Sequence, residues 1–215
     1  MCVHLEEYKV SYFAVPKCAC TSLKTLFFQV ENGRPWSNFK VNGRDFWVHN
    51  TYPSLAFADA KALTAPGFWK FAVLRDPISR LESCYRNRLM RGRGHNQLSA
   101  NRDELDRRGL KIRPSFAQFV DRYEDYCDMC PDVRGHSRPL SFFLGREPGY
   151  FDRLFRLSEL GDLIAELGGW IANLPELLHL QTRGKDIEIG KVGRKTKRQI
   201  EEIFGEDYQL FGAYF

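Results

Sequence analysis

Val10–Phe27 reads VSYFAVPKCACTSLKTLF, and the order of residue types in it decides the fold class. Val10 to Val15 is an apolar run of strand composition. Pro16-Lys17 makes a turn, and the small residues Cys18-Ala19-Cys20-Thr21-Ser22 follow it. Leu23, Leu26, Phe27 and Val30 then recur at i, i+3, i+4 and i+7, the spacing of one helical face. In a strand, small-residue turn and helix of this kind, backbone N–H groups and the positive helix end converge on one point. That is an anion cradle, and Lys17 adds a full charge to it. The motif GxxxxGK[ST] is absent, so this is not a Walker A loop. A plain βα turn with a solvated lysine has the same local signature, and both readings stand at this point.

A second unit of the same kind lies further on. Phe68–Leu74 (FWKFAVL) reads as a buried strand of a parallel sheet and runs into Arg75-Asp76-Pro77. Asp76 is a good N-cap and Pro77 a good first helical residue. Ile78, Leu81, Tyr85 and Leu89 keep to about one helical face. Two strand–turn–helix units argue for an α/β chain with a P-loop-like open parallel sheet of about four to five strands flanked by helices. Further strands are expected around Asp45–Val48 and over Phe151–Leu157. In open α/β sheets ligands sit outside the carboxyl ends of the strands, so His49 and Arg75 would open onto the same edge as Lys17. Helices are expected over Leu55–Leu63, Ser115–Tyr126, Leu160–Leu167 and Lys195–Phe204, with Gly205–Phe215 packing back on the core. Met90–Arg113 reads as an Arg-rich surface excursion or lid, at about 90–113, on a single domain spanning 1–215.

Composition bounds the function classes. An apolar content of 43% makes a globular chain, and no stretch is apolar for the length a bilayer requires. The N-terminus has no export signal, which places the protein in the cytoplasm, with its six cysteines as free thiols. The net charge of +5 is uneven. Arg86–Arg113 holds nine basic residues against three acidic ones, and Arg183–Arg198 holds seven against two. Concentrated basic surface suggests an anionic ligand or partner. Cys127-Asp128-Met129-Cys130 with His136 falls short of four zinc ligands, so no metal is expected.

The two units together resemble the membrane-type carbohydrate sulfotransferases, in particular the chondroitin/dermatan 4-O-, HNK-1 and heparan 2-O-sulfotransferase group. The likeness rests on Val15–Ser22 (VPKCACTS) and on Phe71–Asn87 (FAVLRDPISRLESCYRN). The first is similar to that family's 5′-phosphosulfate loop, the second to its 3′-phosphate motif. Weaker echoes are His136-Ser137-Arg138-Pro139, Phe155-Arg156-Leu157 with Glu159, and Asp207–Gly212 (DYQLFG). The resemblance implies 3′-phosphoadenosine-5′-phosphosulfate (PAPS) as donor, with no metal. It implies that Lys17, Cys18, Ala19, Cys20, Thr21 and Ser22 hold the 5′-phosphosulfate, with Lys17 stabilising charge on the bridging oxygen. It implies that Arg75 and Ser83 hold the 3′-phosphate, and that the basic loop with Arg194 and Lys195 completes the nucleotide site. The base at the acceptor hydroxyl would be His49, with His136 next and Glu159 third.

The chain departs from the animal enzymes in lacking their N-terminal anchor and stem, which implies a compact, soluble, bacterial-style member without a transmembrane segment. The implied acceptor is a carbohydrate or glycolipid, possibly anionic, and nucleic acid is not an expected partner. Two other classes compete. A variant P-loop nucleotide kinase would need a magnesium-binding Asp that is not evident. A polyanion- or nucleic-acid-binding module would use the basic segments alone.

Overall fold

The computed structural model describes residues 3–178, 180 and 187–215, so part of the basic segment Arg183–Arg198 lies outside the described residues. In chain order the elements are β1 (Val3–Leu5), β2 (Val10–Phe13), α1 (Cys20–Asn32), β3 (Phe39–Val41), β4 (Arg44–Phe46), α2 (Val48–Thr51), α3 (Phe57–Ala62), β5 (Trp69–Leu74) and α4 (Pro77–Cys84). They continue with α5 (Arg93–Ala100), α6 (Arg102–Arg107), α7 (Phe116–Asp121), α8 (Tyr123–Met129), α9 (Pro131–Ser137) and α10 (Leu140–Leu144). Last come β6 (Arg153–Arg156), α11 (Leu160–Gly168), α12 (Arg194–Ile203) and α13 (Gly205–Phe211). The chain divides into two compact units. One comprises Met1–Arg75, Leu140–Gln181 and Leu210–Phe215, the other Asp76–Pro139 and Thr182–Gln209.

The first unit is the α/β part. Its sheet has the order β1-β2-β5-β6, with β2 parallel to β5 and β5 parallel to β6. The register pairs Val10 with Trp69 and Phe13 with Ala72. Phe71–Leu74 is buried throughout, as its unbroken apolar sequence requires of a central parallel strand. Tyr12 stacks on Phe71 at 5.1 Å, and Phe27 of α1 meets the same ring edge-on at 6.1 Å. These contacts fasten α1 to the two central strands. Helix α1 ends at Gly33, whose φ of 65° supplies the left-handed closing residue.

The sheet departs from the expected pattern at its edge. β1 is antiparallel to β2, since the short connection Glu6–Lys9 can reverse the chain but cannot make a parallel crossover. The strand expected around Asp45–Val48 is not part of this sheet. Arg44–Phe46 pairs instead with Phe39–Val41 as a separate hairpin across Asn42-Gly43, both at positive φ. Its residues mix polar with apolar and are largely exposed, unlike a central parallel strand.

The described residues of the second unit form helices around their own core, with Leu81, Cys84, Leu89, Leu98, Phe119 and Val133 at its centre. A π-helical turn, Tyr85–Leu89, continues α4 and is closed by the Met90 N–H on the Tyr85 carbonyl at 2.9 Å. The Arg-rich stretch contains α5 and α6, and Leu98, Leu105 and Leu110 of this stretch are buried. A Cβ at Gly94 would lie 2.9 Å from the Arg88 carbonyl and 2.8 Å from Val133, so only glycine lets α5 approach the π-helical turn this closely. Arg80 is also buried. Its guanidinium donates to the carbonyls of His136, Ser137 and Arg138 at the end of α9, which carries the negative end of the helix dipole.

The ring of Phe71 joins β2, β5, α1 and β6 in one cluster. Phe71→Ala is expected to cost about 3–5 kcal/mol, read as a fall in the urea midpoint at unchanged slope. A midpoint equal to that of the parent would contradict this packing.

Candidate functional site

The β2–α1 junction has an unusual backbone, with two side-chain-bearing residues at positive φ within three positions. After Phe13 the chain turns at Val15–Cys18, where the Cys18 N–H donates to the Val15 carbonyl at 3.4 Å. Lys17 (φ 69°) and Ala19 (φ 56°) both lie in the left-handed region. This conformation disfavours side-chain-bearing residues by about 1–2 kcal/mol each, so the surrounding structure holds them there. A left-handed residue immediately before a helix turns successive N–H groups toward one concavity, the geometry of an anion nest. Helix α1 starts at Cys20 with no side-chain cap and no acidic residue in its first turn. Its leading N–H groups have no intrahelical partner, and nothing in that turn offsets the dipole. Cys18 and Ser22 are buried, while Lys17, Ala19, Cys20 and Thr21 are partly exposed. The Ser22 hydroxyl accepts the Leu180 N–H at 3.0 Å, which leaves its O–H as a donor.

His49 lies in α2, and the structure brings it to α1 although its strand has left the main sheet. Its Nε2 is 2.9 Å from Thr21 Oγ1, and its Nδ1 is 3.3 Å from Lys24 Nζ. Lys24 is fully buried and also donates to Ser54 Oγ at 3.0 Å. Further along, the Tyr52 hydroxyl donates to the Glu31 carboxylate. Burial pushes the Glu31 carboxyl above and the Tyr52 phenol well above their usual ranges. Thr21, Lys24 and Glu31 of α1 thus fix the segment that carries His49.

Arg75 follows β5 as Lys17 follows β2. With Phe13 opposite Ala72 in a parallel pair, the two basic residues leave the sheet at the same carboxyl edge. Asp76 then caps α4, its Oδ1 accepting the Ser79 N–H at 3.0 Å, and Pro77 takes the first helical position. The Tyr208 hydroxyl donates to Asp76 Oδ2 at 3.3 Å. Burial, and then the Asp76 carboxylate, push the Tyr208 phenol up. Ser83 is partly exposed near the end of α4, directly before the π-helical turn, a departure from regular helix that recurs at functional sites. Helix α12 packs against α4 and begins at Arg194. Arg194 and Lys195 are exposed, and Lys195 pairs with Asp121 at 3.4 Å. Hydrogen bonds from Gln199 and then Lys195 hold the Asp121 carboxyl below its usual range.

The other candidates are tied locally. His136 sits in α9, where its Nδ1–H donates to the Asp132 carbonyl at 2.7 Å, so its neutral form keeps the lone pair on Nε2. The Glu159 carboxylate accepts the Arg156 N–H at 2.7 Å, as the cap of a turn. Cys127 and Cys130 are both buried and unbridged, the former 3.7 Å from Ser137 Oγ and the latter 3.5 Å from the Gly94 carbonyl. Burial pushes the Cys127 thiol up and that of Cys130 to about 12. No group of His, Cys, Asp and Glu able to hold a metal ion occurs among the described residues. Sequence reasoning missed Lys24, because its place in a helical period gives no sign that it points inward. It quoted Arg80 and Tyr208 within family-like stretches but gave no partner for either, since those partners lie far away in the chain.

The family model described as Sulfotransferase family matches residues 2–214. No curated protein and no solved structure matches the chain.

Cys127 and Cys130, as neutral buried thiols, should resist alkylation in the native protein at about pH 8, near the ordinary thiol pKa, and react on addition of denaturant. Labelling of either at the rate of a free thiol in the folded protein would refute their placement.

Proposed function

We propose, because this chain belongs to the sulfotransferase family, that it moves the sulfuryl group of PAPS to an acceptor hydroxyl on a carbohydrate or glycolipid. The observation that carries this reading is the β2–α1 junction. Two left-handed residues, an uncapped helix start and Lys17 converge there, on the sheet edge from which Arg75 also leaves. A cradle flanked by a lysine suits a phosphosulfate, which needs neutralising charge and oriented N–H donors.

In this reading the backbone from Cys18 to Ser22, with the Thr21 hydroxyl, holds the 5′-phosphosulfate. Arg75 and Ser83 hold the 3′-phosphate, a guanidinium fork joined by a neutral hydroxyl. Arg194 and Lys195 add charge to the nucleotide site. The acceptor oxygen attacks sulfur in line, a new S–O bond forms, and the bond to the bridging oxygen breaks. Lys17 stabilises the charge that collects on that oxygen, and 3′-phosphoadenosine-5′-phosphate leaves with it. A histidine takes the hydroxyl proton, His49 or His136, since an ordinary imidazole is a competent base near neutral pH. The uneven basic surface supports an anionic acceptor. No described helix is long and apolar enough to cross a membrane.

The nucleotide product should raise the melting temperature far more than ATP or GTP does, and equal effects from all would sink the proposal. In a radiolabelled transfer assay over a glycan panel, Lys17→Ala should lower kcat by about 10²–10³-fold. Arg75→Ala should act mainly on the donor KM. Near-parental turnover in Lys17→Ala would remove that residue from the chemistry.

A further inference from the structure

Lys24 stands one turn inside α1, and its side chain is fully buried. Such a position costs a cation its hydration, so its partners carry information. Those partners form a line. Nζ is 3.0 Å from Ser54 Oγ and 3.3 Å from His49 Nδ1, and His49 Nε2 is 2.9 Å from Thr21 Oγ1. Thr21 belongs to the first turn of the same helix, at the mouth of the anion cradle.

The direction of each bond follows from the valence of the groups. An ammonium has donors only, so Lys24 meets Nδ1 as donor, and Nδ1 is the acceptor. A neutral imidazole has one N–H, which must then be on Nε2. That N–H donates to Thr21 Oγ1, and the Thr21 O–H is left to point elsewhere. We infer that Lys24, His49 and Thr21 form a directed hydrogen-bond relay. Lys24 is the positioning residue that fixes His49 as the Nε2–H tautomer and turns the Thr21 hydroxyl into a donor toward the anion in the cradle.

The relay adds a role to a residue without contact to the proposed ligand. Bonds aligned head to tail polarise one another, so the buried charge of Lys24 strengthens the outermost donor, the Thr21 hydroxyl. It also constrains His49. While Lys24 is charged and in place, neither ring nitrogen of His49 offers a lone pair, and His49 acts as a donor on the phosphosulfate side. A base role for His49 requires the Lys24 contact to Nδ1 to break. The tautomer stands on these contacts with Lys24 as an ammonium; the consequence for the donor rests on reading the β2–α1 junction as the phosphosulfate site.

Two-bond ¹H–¹⁵N correlation spectra of the histidine side chains in the full chain test the relay. His49 is assigned by the signal missing in His49→Gln, at about pH 8, where imidazoles are neutral. The Nε2–H pattern is expected for the parent. Lys24→Met should shift His49 toward the Nδ1–H form, and Lys24→Gln, whose amide still donates, should restore Nε2–H. PAPS affinity should fall about tenfold in Lys24→Met, the size of one lost hydrogen bond to a charged group. An Nδ1–H pattern in the parent, or an unchanged tautomer in Lys24→Met, overturns the relay. Should the variants fail to fold, the parent spectrum decides by itself. If the tautomer behaves as expected but the parent does not bind PAPS, the relay stands and the phosphosulfate reading fails.

Discussion

The parallel pairing of β2 with β5 is the constraint on which the site depends. It sets Phe13 beside Ala72, so the chain leaves both strands in the same direction and from the same edge. From β2 it enters the left-handed loop and α1, and from β5 it passes through Arg75 into the second unit. An antiparallel pair would send the two basic residues to opposite ends of the sheet. The packing of Tyr12 and Phe71 with Phe27 of α1 keeps this register, because slipping by one residue would turn a strand ring to the wrong face.

That frame explains why so much positive charge can gather at one place. Lys17 precedes α1, the buried Lys24 lies one turn inside it, and the first helical turn has no carboxylate. The Tyr52–Glu31 contact and the edge-on packing of Phe27 on Phe71 hold the helix in place from further along its length. The strain of the left-handed Lys17 and Ala19 is tolerated because the surroundings over-determine the geometry.

Much of this was legible in residue order. The strands over Val10–Phe13, Trp69–Leu74 and Arg153–Arg156 and the helices after the first two were readable from apolar runs, a proline and a good cap. The sulfotransferase family was readable from VPKCACTS and the stretch after Phe71. What escaped was set by distant partners. β1 is too short to announce itself, and the hairpin at Asn42-Gly43 drew away a strand that hydrophobicity alone had assigned to the main sheet. The inward turn of Lys24, the clasp of Arg80 on the end of α9 and the bond from Tyr208 to Asp76 join residues between 25 and 132 positions apart. Local periodicity has no term for such pairs.

The central claim is that the backbone of the β2–α1 loop, rather than a side-chain cluster elsewhere, receives the donor's phosphosulfate. Amide ¹H–¹⁵N spectra of the chain titrated with PAPS address it directly. Saturable shifts of the Cys18, Ala19, Cys20, Thr21 and Ser22 amides, larger than those of the exposed hairpin, are the expected result. Saturable binding that leaves those five amides unmoved would contradict the account.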